Sequence, residues 1–334
     1  MRRIFFFDLL PVEILHTLFT YFLAHEVLFS FLDVSDYVNN VILAYSAYQV
    51  DLKSIQKTCF DLICQHIRPE QIISLKLSDD KDTPGLSELF FSRFQIEQFI
   101  HLRSLKLIEI EYESMDSIFS YLHQLKQLRS FSFNVDSIRQ KYPTRTNSYL
   151  NMLNQVNLLL SNTYLRVLSQ ITYLYLHNGN VLRSIPLPVL YHLKLDNCSL
   201  DDLKAIFKNA PELQSLNVCL ELETPNLDIS SISLPPLTKL NLKITNAPIS
   251  MNEMECFLSN LPYLKYLKLE LKGDNDLANG HRWQMLTSDF ITFTFKFHVK
   301  LSSVNETLQS FQTLFWLKEK RWFMTYWNMC LCSG

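Results

Sequence analysis

The stretch LYHLKLDNC, residues 190–198, carries leucine at its first, fourth and sixth positions. The fourth and sixth positions are two residues apart, so in an extended chain both side chains point to the same face. This pattern, h-x-x-h-x-h with h an apolar residue, recurs along the chain. The other copies are IISLKL from Ile72, LRSLKL from Leu102, LRSFSF from Leu128, ITYLYL from Ile171, LQSLNV from Leu213, LTKLNL from Leu237, LKYLKL from Leu264 and FITFTF from Phe290. Recurrence of one strand pattern predicts a repeat architecture.

The copies follow one another at a nearly regular distance. Their fourth positions run from Leu75 to Phe293 and lie on average about 27 residues apart, a period typical of strand-and-helix repeats. Helical patterns stand between them in SMDSIFSYLHQLKQL from Ser114, SLDDLKAIFKNAPEL from Ser199 and SMNEMECFLSNLPYL from Ser250. Ser199 suits a helix N-cap, and Ser250 with Glu253 suits a capping box. The chain is therefore predicted to be α/β, with a solenoid over residues 71–300 that has parallel strands on its concave face and helices outside.

These repeats resemble the leucine-rich-repeat family. The longer family signature, L-x-x-L-x-L-x-x-(N/C), is complete at Leu190, Leu193, Leu195 and Cys198. We therefore expect Cys198 to be a buried structural thiol. The long step between residues 131 and 174 is either a degenerate repeat or an insertion, and residues 137–147 are predicted to form an exposed loop.

The front of the chain, DLLPVEILHTLFTYFLAHEVLFSF at residues 8–31, is apolar but interrupted by charge. Asp8, Pro11 and Glu13 deny it the roughly 20 apolar residues of a membrane helix, and no cleavage site of a secretion signal follows. Pro11 suits the first turn of a helix. Behind it, two adjacent apolar rows have four-residue spacing: Ile14, Leu18 and Phe22 beside Leu15, Phe19 and Leu23. This stripe is too wide for one neighbouring helix, so part of it should face another segment or another protein.

At its start this segment, LLPVEILHTLFTYFL, resembles an F-box, whose pattern is Leu-Pro-x-Glu-(Ile/Leu)-Leu and, three or four residues later, Phe-x-Tyr-Leu. The matching positions are Leu10, Pro11, Glu13, Ile14, Leu15, Leu18, Phe19, Tyr21 and Leu23. The resemblance covers residues 8–45, an F-box-like helical module, and leaves residues 46–70 as a helical linker or N-terminal cap. F-box proteins bind a Skp-type adaptor and through it join a cullin ubiquitin ligase. The resemblance implies adaptor contacts at Leu10, Pro11, Ile14, Leu15, Leu18, Phe19, Phe22 and Leu23.

The alternative interpretation of this module is structural. A solenoid needs a cap that hides the apolar edge of its first repeat, and the front helices are suited to that task. At the other end, FQTLFWLKEKRWFMTYW within residues 301–334 is predicted to be an aromatic C-terminal cap. A helix lying at a membrane surface is the alternative for that segment, because lysine and arginine stand among its rings.

The concave face of the predicted array is made of the residues that alternate with the buried leucines. It carries seven lysines, at 76, 106, 194, 239, 243, 268 and 296, against Asp196 and Glu270. Such an excess of positive charge would attract an acidic or phosphorylated target protein, although a merely solvated face is the simpler alternative. Tyr173 and Tyr175 are candidate anchors, because tyrosine gives a large contact area with little loss of entropy. The predicted target-binding residues are Lys106, Tyr173, Tyr175, Lys194, Asn217, Asn241 and Lys268.

Other classes of function lack their usual signals. Five glycines in 334 residues include no phosphate-binding loop, so no nucleotide cofactor is expected. A net charge of −2 gives no general reason to expect nucleic acid as a partner. Seven scattered cysteines suggest reduced thiols in the cytoplasm or nucleus, and Cys330 with Cys332 lacks the second pair that a zinc site needs. No catalytic constellation is recognisable, and we expect the chain not to be an enzyme.

These observations lead to a functional hypothesis by way of the resemblance. The chain would be a substrate-receptor subunit of an SCF-type ubiquitin ligase, with the front module on the adaptor and the repeats on a target. The alternative is a leucine-rich-repeat scaffold or inhibitor without a ligase role, whose front helices act as a cap. An enzyme of unrecognised type is the third and weakest hypothesis.

Overall fold

The computed structural model describes residues 6–110, 118, 121–134, 168, 170–224, 227–229, 233–327 and 329–333. The chain forms two compact units, Met1–Ile171 and Thr172–Gly334. Both contain parallel strands alternating with helices, and the first unit opens with helices alone. The α/β fold class is therefore confirmed, in an arrangement consistent with a leucine-rich-repeat-like solenoid.

The first unit begins with a 3-10 turn and a group of three short helices. The turn covers Phe6–Leu9, and the helices are α1 (Val12–Phe19), α2 (Ala24–Phe31) and α3 (Asp36–Ala44). The strands of this unit are β1 (Tyr48–Asp51), β2 (Ile72–Ser78), β3 (Ser104–Ile108) and β4 (Ser130–Asn134), with α4 (Lys57–His66) and α5 (Leu86–Arg93) between them. Each strand pairs in parallel with the next, from β1 to β4.

In the second unit six strands pair in parallel in sequence order. They are β5 (Tyr173–Asn178), β6 (His192–Ser199), β7 (Ser215–Glu221), β8 (Lys239–Thr245), β9 (Tyr266–Lys272) and β10 (Thr292–His298). The helices are α6 (Leu200–Asn209), α7 (Met251–Ser259), α8 (Gly280–Leu286) and α9 (Val304–Ser310). A terminal hairpin of β11 (Met324–Trp327) and β12 (Cys330–Ser333) follows, and β12 pairs antiparallel with β10.

The repeat pattern predicts the register of these strands. In the first unit Leu75 pairs with Leu105 and Leu105 with Phe131. In the second unit the same position aligns through Leu174, Leu193, Leu216, Leu240, Leu267 and Phe293. All these side chains are at most 2% exposed. The predicted alignment is therefore confirmed within each unit. A shift of one residue would instead have turned every leucine to the solvent.

Two predicted helix starts are also present. Ser199 Oγ accepts a hydrogen bond of 3.1 Å from the backbone N–H of Asp202 and caps α6. Ser250 Oγ accepts one of 3.3 Å from the N–H of Glu253, whose carboxylate accepts one of 2.8 Å from the N–H of Ser250. Of the helix predicted from Ser114, the structure describes residue 118 and residues 121–128, which include a 3-10 turn at Leu122–Gln124. The predicted loop at 137–147 lies outside the described residues.

Replacing Ser250 by alanine tests the capping box of α7. We expect the free energy of unfolding of the second unit to fall by about 1 kcal/mol. The backbone N–H of Glu253 would lose its hydroxyl acceptor, and the Glu253 carboxylate would lose the hydroxyl that helps to hold it against the N–H of residue 250. Chemical denaturation of the full chain measures it, with Ser288→Ala, an exposed serine outside a helix start, as control. Equal stability of the Ser250 variant and the native chain would contradict the assigned cap.

Residues 46–70, which the sequence predicts as a helical linker, hold both a strand and a helix. Strand β1 pairs with β2 and buries Tyr48 and Val50, which alternate along it. The side-chain amide of Gln71 donates hydrogen bonds to the carbonyl oxygens of Leu43, at 2.9 Å, and Tyr45, at 2.7 Å. The repeat search missed β1 although the hexad is present there as AYQVDL, residues 47–52, with alanine instead of a large apolar residue at its first position. The front helices are thus joined to the first strand of the unit.

The aromatic C-terminal segment covers the last parallel strand. Phe311, Phe315 and Trp316 are buried, and β12 provides the partner for β10. Among the described residues, no helix has both the length and the apolar character needed to cross a bilayer.

Candidate functional site

The Leu-Pro turn at the start of α1 is held in place by polar contacts with α3. Tyr37 Oη donates a hydrogen bond of 2.7 Å to the carbonyl oxygen of Leu10, and Ser35 Oγ donates one to the carboxylate of Asp8. Ser35 Oγ also accepts a bond of 3.1 Å from the N–H of Val38 and so caps α3. These bonds fix the turn without using its apolar side chains, which stay available on the surface.

The exposed apolar side chains of this turn and of α1 form one candidate surface, here called the docking face. It consists of Leu9, Pro11, Val12 and Ile14, with the half-buried Leu18 beside them. Leu9 is 71% exposed and Ile14 is 52% exposed, which is unusual for residues of this size. The F-box resemblance does not include Leu9 or Val12 among the adaptor contacts. The position of Leu9, directly before the Leu10-Pro11 pair, could have indicated it from the sequence.

The eight predicted adaptor contacts fall into three groups. Pro11 and Ile14 are exposed, and Leu10, Leu18, Phe22 and Leu23 are half-buried. Leu15 and Phe19 are buried, with the Phe19 ring 5.3 Å from that of Phe31 and 5.4 Å from that of Tyr45. These two residues therefore position α1 and cannot touch a partner in this conformation. Sequence spacing defines two adjacent rows but does not say which row the protein itself covers.

The inner side of the module packs within the first unit. Helix α2 contacts α4 and β1, and the Tyr45 and Tyr48 rings are 4.8 Å apart in an edge-to-face arrangement. Burial raises the pKa of Tyr48 above its ordinary range, with the neighbouring Tyr45 adding to the effect. The module is consequently integral to this unit, and its docking face lies outside that packing, as do the exposed side chains of Tyr21, Phe29 and Leu43.

A second candidate surface lies on the strands, on the side opposite the buried leucines; we call it the open face. In the second unit the register aligns five of the seven predicted target-binding residues in one row. The row runs through Tyr175, Lys194, Asn217, Asn241 and Lys268 on strands β5 to β9. Tyr173, which is 40% exposed, stands opposite His192 in the adjacent row. Lys106 lies on the open face of the first unit, between Lys76 and Ser132.

A carboxylate organises the β5–β6 part of this face. Asp196 Oδ2 accepts a hydrogen bond of 2.5 Å from Tyr175 Oη and lies 3.5 Å from His177 Nδ1. Lys194 Nζ is 3.8 Å from Asp196 Oδ1 and 4.0 Å from the centre of the Tyr175 ring. Burial alone would raise the pKa of Asp196, but hydrogen bonds from His177 and Tyr175 and the charge of Lys194 hold it below its usual range. Tyr175 and Lys194 are thus held by Asp196.

The lysines of the open face differ in whether a carboxylate neutralises them, which the sequence does not indicate. Ion pairs join Lys76 to Asp51 at 2.7 Å, Lys194 to Asp196 at 3.8 Å, and Lys243 to Glu270 at 3.0 Å. The sequence-based count of charged residues on the concave face did not include Asp51, because β1 was not recognised as a strand. In the second unit, positive charge on the open face is therefore concentrated on β8, β9 and β10.

The cysteines show no arrangement for nucleophilic chemistry. Cys198 is 1% exposed, as expected of a structural thiol, and burial raises its pKa well above the ordinary value. The thiols of Cys330 and Cys332 lie 3.1 Å apart. In the part of the chain that the structure describes, no three His, Cys, Asp or Glu side chains are grouped so that they could hold a metal ion.

Comparison with known proteins adds no name to these surfaces. No protein-family model matches the sequence, and no curated protein matches it. The assignment of function therefore depends on the docking face, on the open face and on the residues that carry them.

Proposed function

We propose that this chain is a substrate-receptor subunit of a cullin-type ubiquitin ligase. Its docking face binds a Skp-type adaptor, and its open face binds a target protein. The observation that supports this proposal most is that α1 has one buried row and one exposed row of apolar side chains. Leu15 and Phe19 fasten the helix to the first unit, whereas Pro11 and Ile14 remain on the surface beside Leu9.

The proposed mechanism is tethering. One surface holds the ligase adaptor, the other holds a target, and a separate enzyme transfers ubiquitin. Holding both partners on one chain raises the effective concentration of the target's lysines near that enzyme. No residue of this chain takes part in the chemistry.

Burial of the exposed apolar side chains would supply the affinity for the adaptor. Moving a leucine or isoleucine from water into a fully buried position contributes about 1.5–3 kcal/mol. Leu9 and Ile14 are only partly exposed, so each contributes a fraction of that amount. Even 1.4 kcal/mol corresponds to a tenfold change in affinity, so one substitution should be measurable.

Replacing Ile14 by aspartate tests the docking face directly. We expect at least a tenfold loss of affinity for a purified Skp-type adaptor, because a charge would be placed against an apolar surface. Calorimetric titration of the full-length chain measures this loss. The matched control is Ile100→Asp, since Ile100 is 54% exposed, close to the 52% of Ile14, and lies in the same unit outside the module.

Two results would reject the proposal. One is an absence of binding between the native chain and the adaptor. The other is an equal loss of affinity in the Ile14 and Ile100 variants, which would indicate non-specific contact.

A scaffold or inhibitor whose front helices are only a cap remains the second candidate. It is favoured by the hydrogen bonds from Gln71 to Leu43 and Tyr45 and by the packing of α2 on α4. Because of that packing, deletion of residues 1–45 should destabilise the first unit under either hypothesis. Only the surface variants of the docking face separate the two functions.

A further inference from the structure

The open face of the second unit has two halves of opposite character. The three strands β8, β9 and β10 present five lysines and one glutamate there: Lys239, Lys243, Lys268, Lys272, Lys296 and Glu270. The strands β5, β6 and β7 present Lys194 with Asp196 and Glu221, together with tyrosine, histidine and asparagine. An excess of positive charge is therefore confined to the last three parallel strands.

Three of these lysines lie on a diagonal, here called the lysine diagonal. Lys239 on β8 is opposite Tyr266, and Lys268 on β9 is two residues further along. Lys296 on β10 is two residues further again, opposite Glu270. Among the described residues, no carboxylate lies within 4 Å of any of these three ammonium groups. Glu270, the nearest acid by register, is already paired with Lys243.

The spacing of the lysine diagonal suits an extended peptide. One step across parallel strands is about 4.8 Å and two residues along a strand are about 6.7 Å, so neighbours on the diagonal are roughly 8 Å apart. Alternate side chains of an extended peptide point the same way and are about 6.7 Å apart. The flexible four-carbon stem of lysine can absorb the difference.

We infer that the lysine diagonal binds an extended acidic segment of the target, with carboxylate or phosphate groups at alternate residues. This inference rests on the proposed role of the open face in target binding and names its partner. The acidic segment lies across β8–β10.

The experiment uses the full-length chain and a fluorescein-labelled peptide with glutamate at three alternate positions separated by serine. Fluorescence anisotropy measures the affinity at low and at raised salt. The test variant is Lys239→Glu, Lys268→Glu and Lys296→Glu together. We expect about a tenfold or greater loss of affinity, and binding of the native chain that weakens as salt is added.

The matched control reverses three lysines away from the open face. Lys204 and Lys208 lie on α6, and Lys318 lies in the π-helical turn Phe315–Lys320. This control changes the net charge by the same amount, so an equal loss of affinity would overturn the inference. A second peptide has the same composition with its glutamates contiguous, and its equal affinity would also overturn the proposed spacing. If circular dichroism shows that the triple variant is misfolded, Lys268→Glu alone is expected to weaken binding about threefold.

Nucleic acid is the other polyanion that the experiment can detect. A single-stranded oligonucleotide that binds more tightly than the peptide, and that also depends on the lysine diagonal, would overturn the assignment to a peptide. Adaptor binding is measured separately with the Ile14 variant. Loss of the adaptor role alone would leave the lysine diagonal standing, and failure of the peptide test alone would leave the adaptor role standing.

Discussion

Replacing Trp283 by alanine is expected to lower the free energy of unfolding of the second unit by about 3–5 kcal/mol. Trp283 lies on α8 and is fully buried. Its ring stacks on Phe293 and Phe297, with centre-to-centre distances of 5.0 and 5.4 Å, and its Nε1–H donates a hydrogen bond of 2.7 Å to the carbonyl oxygen of Leu277. The variant would lose this packing and leave a buried carbonyl without its donor.

Chemical denaturation and hydrogen exchange of the full chain check this expectation, because exchange locates the loss in the second unit. The control is Trp327→Ala, since Trp327 is 77% exposed on β11. A change of less than about 1 kcal/mol in the Trp283 variant would contradict the assigned packing. We expect adaptor binding to be retained, because the docking face belongs to the first unit.

Replacing Phe19 by alanine is expected to destabilise the first unit by a similar amount, about 3–5 kcal/mol. Phe19 is 1% exposed and contacts the Phe31 and Tyr45 rings, so its removal would leave a cavity beneath α1. Adaptor affinity should fall as well, because the Leu-Pro turn would lose the helix that positions it. The fall would follow the fraction of unfolded protein and would be reduced at lower temperature or in a stabilising osmolyte.

Comparison of the Phe19 variant with Ile14→Asp distinguishes a loss of folding stability from a loss of direct contact with the adaptor. The Ile14 variant should lose affinity with little change in stability, whereas the Phe19 variant should lose stability first. Tyr21→Ala is the control for Phe19, since Tyr21 is 80% exposed just beyond the end of the same helix. An unchanged free energy of unfolding in the Phe19 variant would show that the module is not packed as described.

The two surfaces make the proposed receptor a chain with separable functions. Variants of Ile14 should affect the adaptor alone, and variants of the lysine diagonal should affect the target alone. This separability is useful for identifying the target. An Ile14 variant should keep a target bound without passing it to the ligase, so the target would accumulate on the chain during affinity purification.

Much of the candidate site could be predicted from residue spacing, but burial could not. The four-residue rows on α1 identify the apolar positions, yet Leu15 and Ile14 are neighbours with opposite environments. Likewise, the alternation along each strand identifies the open face, yet Lys243 pairs with Glu270 of the next strand, whereas Lys268 pairs with no carboxylate among the described residues. A pairing depends on which residue the neighbouring strand places alongside, and that neighbour is on average about 27 residues away in sequence.

What the sequence by itself determined is the periodic part of the protein: the strand positions, their register within each unit and the capped starts of α6 and α7. Periodicity suffices there because leucines at fixed spacing must share one buried face, and because a serine followed by an acid satisfies local backbone donors. Tertiary structure alone decided that Phe19 faces inward while Ile14 faces the solvent, and that the three lysines of the lysine diagonal pair with no carboxylate among the described residues. These features arise from contacts between distant segments, which local spacing does not encode.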